Sequence, residues 1–259
     1  MTKADPAWPD GLDPNVIALS FDVEWAHQDV IDGVCRLLDE RGITGTFFVT
    51  HDGVRVPGHE RGLHPNFRRN GDLYRSLPGA GTKTDGEVDA HIVATALSFA
   101  PEAKGVRTHG LHFTTELLGT FARHGLEYDS TLRLELAPGL RPVWKQSGIL
   151  ELPTYYCDFF DMDTNATGFK FSRLRLDAPG MKIFDFHPNL IAINAATVPE
   201  YDATRSFYKD PERLNAARHG GPGTRSLFVA LLDEIVRRKL PHATLGELNS
   251  RWRTHAPSW

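Results

Sequence analysis

Two acids stand two residues apart in the run Ser20-Phe21-Asp22-Val23-Glu24-Trp25, at the end of an apolar stretch. On an extended backbone, side chains at i and i+2 share a face, so Asp22 and Glu24 are expected to point the same way. Carboxylates held side by side repel unless a proton or a cation sits between them. A divalent ion resolves the repulsion, one acid ligating and the other staying free as a base. A second group, Arg61-Gly62-Leu63-His64-Pro65-Asn66, places an imidazole directly before a proline, whose rigid backbone suits a ligand position. A third, Val106-Arg107-Thr108-His109, pairs a permanent cation able to keep a carboxylate ionised with a His expected on the same side. The fourth, Phe184-Asp185-Phe186-His187-Pro188-Asn189, repeats the His-Pro-Asn triplet of 64–66 in a like context and points to a shared role near a polar substrate. Each group alone reads equally well as structural: acids bonding loop amides, a satisfied loop His, a surface Arg. Four such groups at four separate strand ends are harder to dismiss.

The elements that must position these groups are legible as patterns. Residues 16–21 form a short apolar run, read as a buried strand. Ile31, Val34, Cys35 and Leu38 recur at helical spacing and Gly42 closes that helix. Residues 43–50 are rich in β-branched and aromatic side chains, giving a second strand and a βαβ opening with parallel pairing. Residues 51–86 read as long active-site loops around one short strand ending near Leu63. Further on, 88–99 and 114–124 read as helices, and 104–108, 148–152 and 181–186 as strands. Residues 190–195 read as a last short strand or a loop. Phe228, Leu231, Leu232, Ile235 and Val236 mark an amphipathic helix with Thr224 as its cap and Pro241 beyond its end. One α/β domain over 1–259, with a 1–14 extension, is the economical reading, and a barrel is favoured over an open sheet. The strand ends that carry the four groups form the face where parallel α/β folds bind ligands.

Composition narrows the function class. The chain has 259 residues, 41% hydrophobic and 24% charged, enough for a sizeable core. A formal net charge of −4 gives no electrostatic case for nucleic acid or an anionic membrane. Residues 1–10 lack the apolar core of a secretory signal, and no apolar run is long enough to span a membrane, so a cytoplasmic protein is expected. Cys35 and Cys157 form no CxxC pair; Cys35 reads as a small buried hydrophobe and no disulfide is expected. His219, His242 and His255 lie away from strand ends. The run Gly220-Gly221-Pro222-Gly223-Thr224 imitates a phosphate loop but lacks the lysine and the preceding strand. Oligomeric state is left open.

In their order along the chain, from about Ile17 to Leu248, these groups resemble the NodB-homology polysaccharide deacetylases, carbohydrate esterase family four, in a divergent branch similar to the WbmS-like deacetylases of surface-polysaccharide loci. The resemblance implies a distorted (β/α)7-type barrel and hydrolysis of an N-acyl group, acetyl above all, from an amino sugar or polysaccharide. It also implies one divalent metal ion, for which zinc suits the donor set and iron, cobalt or nickel are alternatives. In the family's motifs Asp22 matches the general base, and Glu24 the metal-binding acid, displaced by one residue. His64 matches the first of two metal-binding His. The position four later is Arg68, so His109 is put forward as the replacement ligand, ahead of His59 and Asn66. Arg107 matches the arginine that orients the base, without the Pro and Tyr that usually follow. His187 matches the general acid, and 240–248 resembles the family's closing segment. A backbone amide near Phe159 is suggested for the oxyanion. Trp25, Tyr155, Tyr156, Phe159 and Phe160 are candidates for stacking on a sugar, or else core aromatics. Loops 51–86 and 155–172 are expected to set specificity. Two other classes stay open: a different metal-dependent hydrolase, acting on a phosphoester or cyclic amide, and a sugar-binding descendant without activity.

Overall fold

The computed structural model describes Trp8 and residues 12–256. Among these, nine strands form one sheet: β1 (Ile17–Asp22), β2 (Thr46–Val49), β3 (Glu60–Leu63), β4 (Gly105–Val106), β5 (Tyr128–Asp129), β6 (Val143–Trp144), β7 (Leu150–Glu151), β8 (Thr154–Cys157) and β9 (Lys182–Phe186). Their order is β6-β7-β5-β4-β3-β2-β1-β9-β8, and every neighbouring pair is parallel except β6 with β7. The apolar β1 is central and fully buried, as a strand covered on both faces must be. Ser20 sits opposite Thr46 of β2 and Asp185 of β9.

The sheet curls into a distorted half-barrel. Residues 132–136, leaving β5, cross to the edge strand β8: Thr154 N donates to Leu132 O (2.8 Å), Leu134 N to Thr154 O (2.9 Å) and Leu136 N to Tyr155 O (2.7 Å). Those bonds draw the two sides of the curl together and relieve an edge that would otherwise be unpaired.

Alternation along the strands sorts side chains inward and outward. Ile17, Leu19, Phe21, Phe47, Phe184 and Phe186 face out, into the layer of helices. There the helix Gln28–Asp39 buries Val30, Ile31, Val34, Cys35 and Leu38, and Thr224–Arg238 buries Leu227, Phe228, Leu231, Leu232 and Ile235. Val236 faces solvent instead. Ala18, Phe48, Tyr128, Leu150 and Ile183 belong to a second apolar cluster, in the barrel interior. Two glycines make room for the large rings there. A Cβ on Gly62 would lie 2.6 Å from the Phe48 ring, and one on Gly105 would lie 1.9 Å from the Tyr128 ring.

The N-terminal end of the barrel is plugged. The helix Leu245–His255 brings Leu245 N to Thr46 Oγ1 (3.0 Å) and Gly246 N to Glu60 Oε2 (2.8 Å), while Tyr128 OH donates to Glu60 Oε1 (2.7 Å). With this end closed among the described residues, the barrel opens at the strands' C-terminal ends.

Several expected elements come out differently. Residues 188–193 form a helix, not a strand or loop: His187 is its N-cap and Pro188 takes the first turn, where a missing N–H does no harm. Gly223, not Thr224, caps the helix Thr224–Arg238; the Thr224 hydroxyl donates to Ala195 O (3.1 Å). Strand β4 spans only two residues, and β5, β6 and β8 were not anticipated, because two- to four-residue strands carry no readable alternation. Of the expected 1–14 extension only Trp8 and 12–14 are described, the rest lying outside the described residues. Trp8 packs edge-on against Trp252 (5.4 Å) and Leu12 is buried. Both cysteines are free and buried, and no helix among the described residues is long and apolar enough to cross a membrane.

Substituting Gly105 by Ala drives a methyl into the Tyr128 ring. Overpacking of this kind typically costs ~1–3 kcal/mol. The urea midpoint of Gly105→Ala should fall, whereas Gly125→Ala, whose Cβ would meet nothing within 4 Å, should lose only the cost of its left-handed backbone. An unchanged midpoint for Gly105→Ala would contradict the packing described.

Candidate active site

Arg107 leaves β4 and points into the barrel, where it is fully buried. The surface-arginine reading is therefore excluded. Its Nη1 donates to Asp22 Oδ1 (3.0 Å) and Asp185 Oδ1 (2.7 Å). Nη2 donates to Ser20 Oγ (2.9 Å), Ser130 Oγ (2.9 Å) and Thr154 Oγ1 (3.2 Å), and Nε to Ser130 O (3.0 Å). The guanidinium carbon lies 4.5 Å from the centre of the Phe48 ring. One cation thus holds two buried carboxylates from neighbouring strands. Burial pushes the Asp185 carboxyl up, opposed by Arg107.

Glu24 lies beyond the end of β1, so the expected alternation does not aim it. Ala26 N donates to Val23 O (2.9 Å), and both central residues of that turn, Glu24 (φ 48°) and Trp25 (φ 57°), are left-handed. Such conformations are strained for residues other than glycine and here swing the carboxylate over the strand ends. Glu24 Oε1 accepts from His64 Nε2 (3.1 Å) and His109 Nδ1 (2.8 Å). Burial pushes the Glu24 carboxyl up, but these two hydrogen bonds outweigh it and hold the carboxylate well below its usual range. His109 sits in a turn after β4, fixed by its N–H to Pro65 O (3.0 Å).

One ligand atom each from Glu24, His64 and His109 lie within 4.8 Å of one another. Ligands 2.0–2.1 Å from a tetrahedral ion stand about 3.3 Å apart, and the separations of Glu24 Oε1 from His64 Nε2 (3.1 Å) and His109 Nδ1 (2.8 Å) lie near that spacing. His64 Nδ1 is buried without a hydrogen-bond partner among the described residues, 3.6 Å from Asp22 Oδ1. An imidazole whose inward nitrogen faces two other donors and whose outer nitrogen faces a carboxylate matches the usual setting of a metal ligand.

On the other side of Asp22 stands His187. Its backbone N–H donates to Asp158 Oδ2 (2.9 Å) and its Nδ1 to Asp158 Oδ1 (2.6 Å). Burial pushes the His187 imidazole down, yet the buried Asp158 carboxylate overcomes this and raises its pKa to about 10. Ligand atoms of Asp22, Asp185 and His187 also lie within 4.8 Å of one another. These side chains line the floor of a cavity of about 590 Å³ whose walls include Trp25, Phe159, Tyr201 and Tyr208.

The structure thus gathers Asp22, Glu24, His64, Arg107, His109 and His187 at one mouth and leaves other candidates elsewhere. His59 precedes β3, at the opposite end of that strand from His64, with Nδ1 accepting from Gly45 N (3.3 Å). Asn66 Oδ1 accepts from Arg68 N (3.0 Å), and Asn189 Nδ2 donates to Tyr208 O (3.3 Å). Of the repeated triplet only the two His reach the site. Tyr155 and Tyr156 are core residues of β8, their hydroxyls bound to Leu174 O and Asp161. Phe160 lies beneath Arg133 (3.8 Å). Phe159 N donates to Asp158 Oδ1 (2.7 Å) and is not free for an oxyanion. His219 pairs with Glu200 (3.0 Å). Asp158 and Asp185 were missed as functional residues. Asp185 had a readable signal, lying two before His187 on the same strand face; Asp158 had none, being an acid in a run of acids.

The sequence model of the family described as WbmS-like polysaccharide deacetylase matches residues 19–205. A solved structure from Bordetella bronchiseptica, assigned as a polysaccharide deacetylase involved in O-antigen biosynthesis, is 25% identical, with a TM-score of 0.72 over 85% of this chain and 91% of its own. A solved structure from Mycobacterium smegmatis, assigned as a polysaccharide deacetylase, shares the fold at 16% identity and a TM-score of 0.56, over 97% and 96%. Comparison with curated proteins gives no match.

Removing the shared cation should leave Asp22 and Asp185 facing each other in a dry site. Arg107→Gln is expected to lose about 3–5 kcal/mol of unfolding free energy. Arg107→Gln/Asp185→Asn should recover part of that loss, as read by denaturant melts. A fully stable single variant would mean the three charges are not coupled.

Proposed function

Because the chain belongs to the WbmS-like polysaccharide deacetylase family, and is thereby a hydrolase of non-peptide C–N bonds, we propose that it removes an N-acetyl group from an amino sugar, using Asp22 as base and His187 as acid on either side of one divalent ion. The supporting observation is that Asp22 and His187 lie within 4.8 Å of each other through their polar atoms, with Asp22 3.6 Å from the His64 of the neighbouring donor cluster.

Glu24, His64 and His109 would hold the ion, and their mixed nitrogen and oxygen donors suit zinc. When bound, it supplies Lewis-acid polarisation of the acyl oxygen and acidifies an adjacent water. Asp22 accepts the proton of the attacking water as the new C–O bond forms. The Arg107 hydrogen bond fixes the orientation of that carboxylate. His187, charged at neutral pH, delivers its proton to the departing nitrogen as the C–N bond breaks, since an amide anion is too poor a leaving group. Because Nδ1 is taken by Asp158, the donor is Nε2. Acetate and the free amino sugar are the products.

Acetate release from N-acetyl amino sugars by the zinc-loaded chain tests this directly. Asp22→Asn and His187→Ala should each lose about 10²–10⁴-fold in kcat with an unchanged fold. His64→Ala should lose the ion; stoichiometric metal in that variant by elemental analysis would refute the ligand set.

A pH profile isolates Asp158. His187 must be protonated to act, and its raised pKa keeps it so into the alkaline range. In Asp158→Asn the largest opposing charge and its hydrogen bond are gone, leaving only the weaker pull of Asp185 and Asp22 against burial. The alkaline limb of kcat should therefore move to lower pH. A limb that stays put would show that Asp158 does not set the acid.

A further inference from the structure

The three carboxylates lining the cavity, Asp22, Glu24 and Asp185, lie at its floor and are already engaged by Arg107 and the two imidazoles. The rim is different. Three arginines line the same cavity from three separate segments: Arg68 beyond β3, Arg133 beyond β5, and Arg205 after the helix Val198–Ala203. Arg68 and Arg205 are exposed and Arg133 is half-buried. Among the described residues no ion pair is formed by Arg68 or Arg133, while Arg205 has only an exposed pair with Asp202 (2.7 Å).

Two of the three have a defined setting. The guanidinium carbon of Arg133 lies 3.8 Å from the centre of the Phe160 ring, a cation–π contact that anchors the side chain. Arg68 reaches Gly110, where even a built Cβ would come within 3.4 Å of Nη2, so the glycine leaves room for it. The chain as a whole carries a net charge of −4, so this cationic rim is local and does not follow from composition. Guanidinium forks match carboxylate and phosphate oxygens two at a time. An anionic ligand entering above a floor of three carboxylates would be repelled without them, and a neutral sugar would gain little from three cations.

We infer that the site takes N-acyl amino sugars that carry an oxyanion, either a carboxylate on the sugar or a phosphate ester, held by Arg68, Arg133 and Arg205 at the rim. This rests on the deacylation reading of the floor and names the substrate class for it.

The test uses the zinc-loaded full chain with Asp22→Asn, which should bind without turnover, and calorimetric titration with N-acetylglucosamine, its 6-carboxylate (N-acetylglucosaminuronate) and N-acetylglucosamine 1-phosphate. At least one anionic sugar should bind tenfold or more tightly than the neutral one, and which does so separates carboxylate from phosphate. Adding Arg68→Gln or Arg133→Gln should weaken that anion about tenfold each without moving the neutral sugar, with melting temperature confirming the fold. Equal affinity for all three sugars, or anion binding unaffected by both variants, overturns the inference. Acetate release by the unmodified chain is measured on the same three sugars. Equal release from all three overturns the anion preference and leaves deacylation standing. Selective anion binding with no release from any sugar overturns deacylation and leaves the rim preference intact.

Discussion

A single guanidinium buried in the barrel governs the arrangement of the site. Burying a cation costs several kcal/mol unless its partners are complete, and Arg107 meets that requirement with two carboxylates, three hydroxyls and a backbone carbonyl. Those partners come from β1, β9, β8 and the segment after β5, so the strands can satisfy the charge only in one relative arrangement. Stability and reactivity are coupled here: the contacts that make Arg107 tolerable in the interior also place Asp22 and Asp185 at the floor of the mouth. Coulomb forces work on this floor with little screening by water, which is why a second buried pair, Asp158 with His187, can move an imidazole so far from its ordinary behaviour.

The two ends of the barrel divide the labour. At the N-terminal end, Glu60 is consumed by Thr46, Tyr128 and the start of the helix Leu245–His255. Phe48 and Tyr128 fill the space above it against Gly62 and Gly105. At the C-terminal end the polar atoms are only partly satisfied within the protein. Glu24 is held in a left-handed turn, His64 keeps a nitrogen without a partner among the described residues, and arginines line the opening. A closed, packed base supporting an open polar mouth is what an α/β barrel offers a catalyst, since strain at one end is carried by packing at the other.

Much of this was legible beforehand, and the misses have a common cause. The long periodic helices and the buried β1 and β9 were read correctly because their patterns run over many residues. Two of the four acid-or-imidazole groups follow these strands, and the other two stood out by residue type after β3 and β4. The position four after His64 holds Arg68, and the structure puts that side chain on the rim rather than among the donors. Strands β5, β6 and β8 escaped notice because two to four residues give no period. The twin aromatics Tyr155 and Tyr156 looked like sugar platforms for the same reason: without a strand assigned there, nothing marked them as interior.

The one-dimensional order of residues determined the class of the molecule: an alternating α/β chain with acids, imidazoles and one arginine at strand ends. Those properties are local, set by propensity, periodicity and residue type. The partnerships are not. That Asp158 holds His187 across 29 positions, that Asp185 shares Arg107 with Asp22, and that Glu24 receives both His64 and His109 depend on how far the sheet curls and on a left-handed turn with no glycine to announce it. Contacts between distant segments follow from packing the whole chain at once, and only the folded barrel decides them.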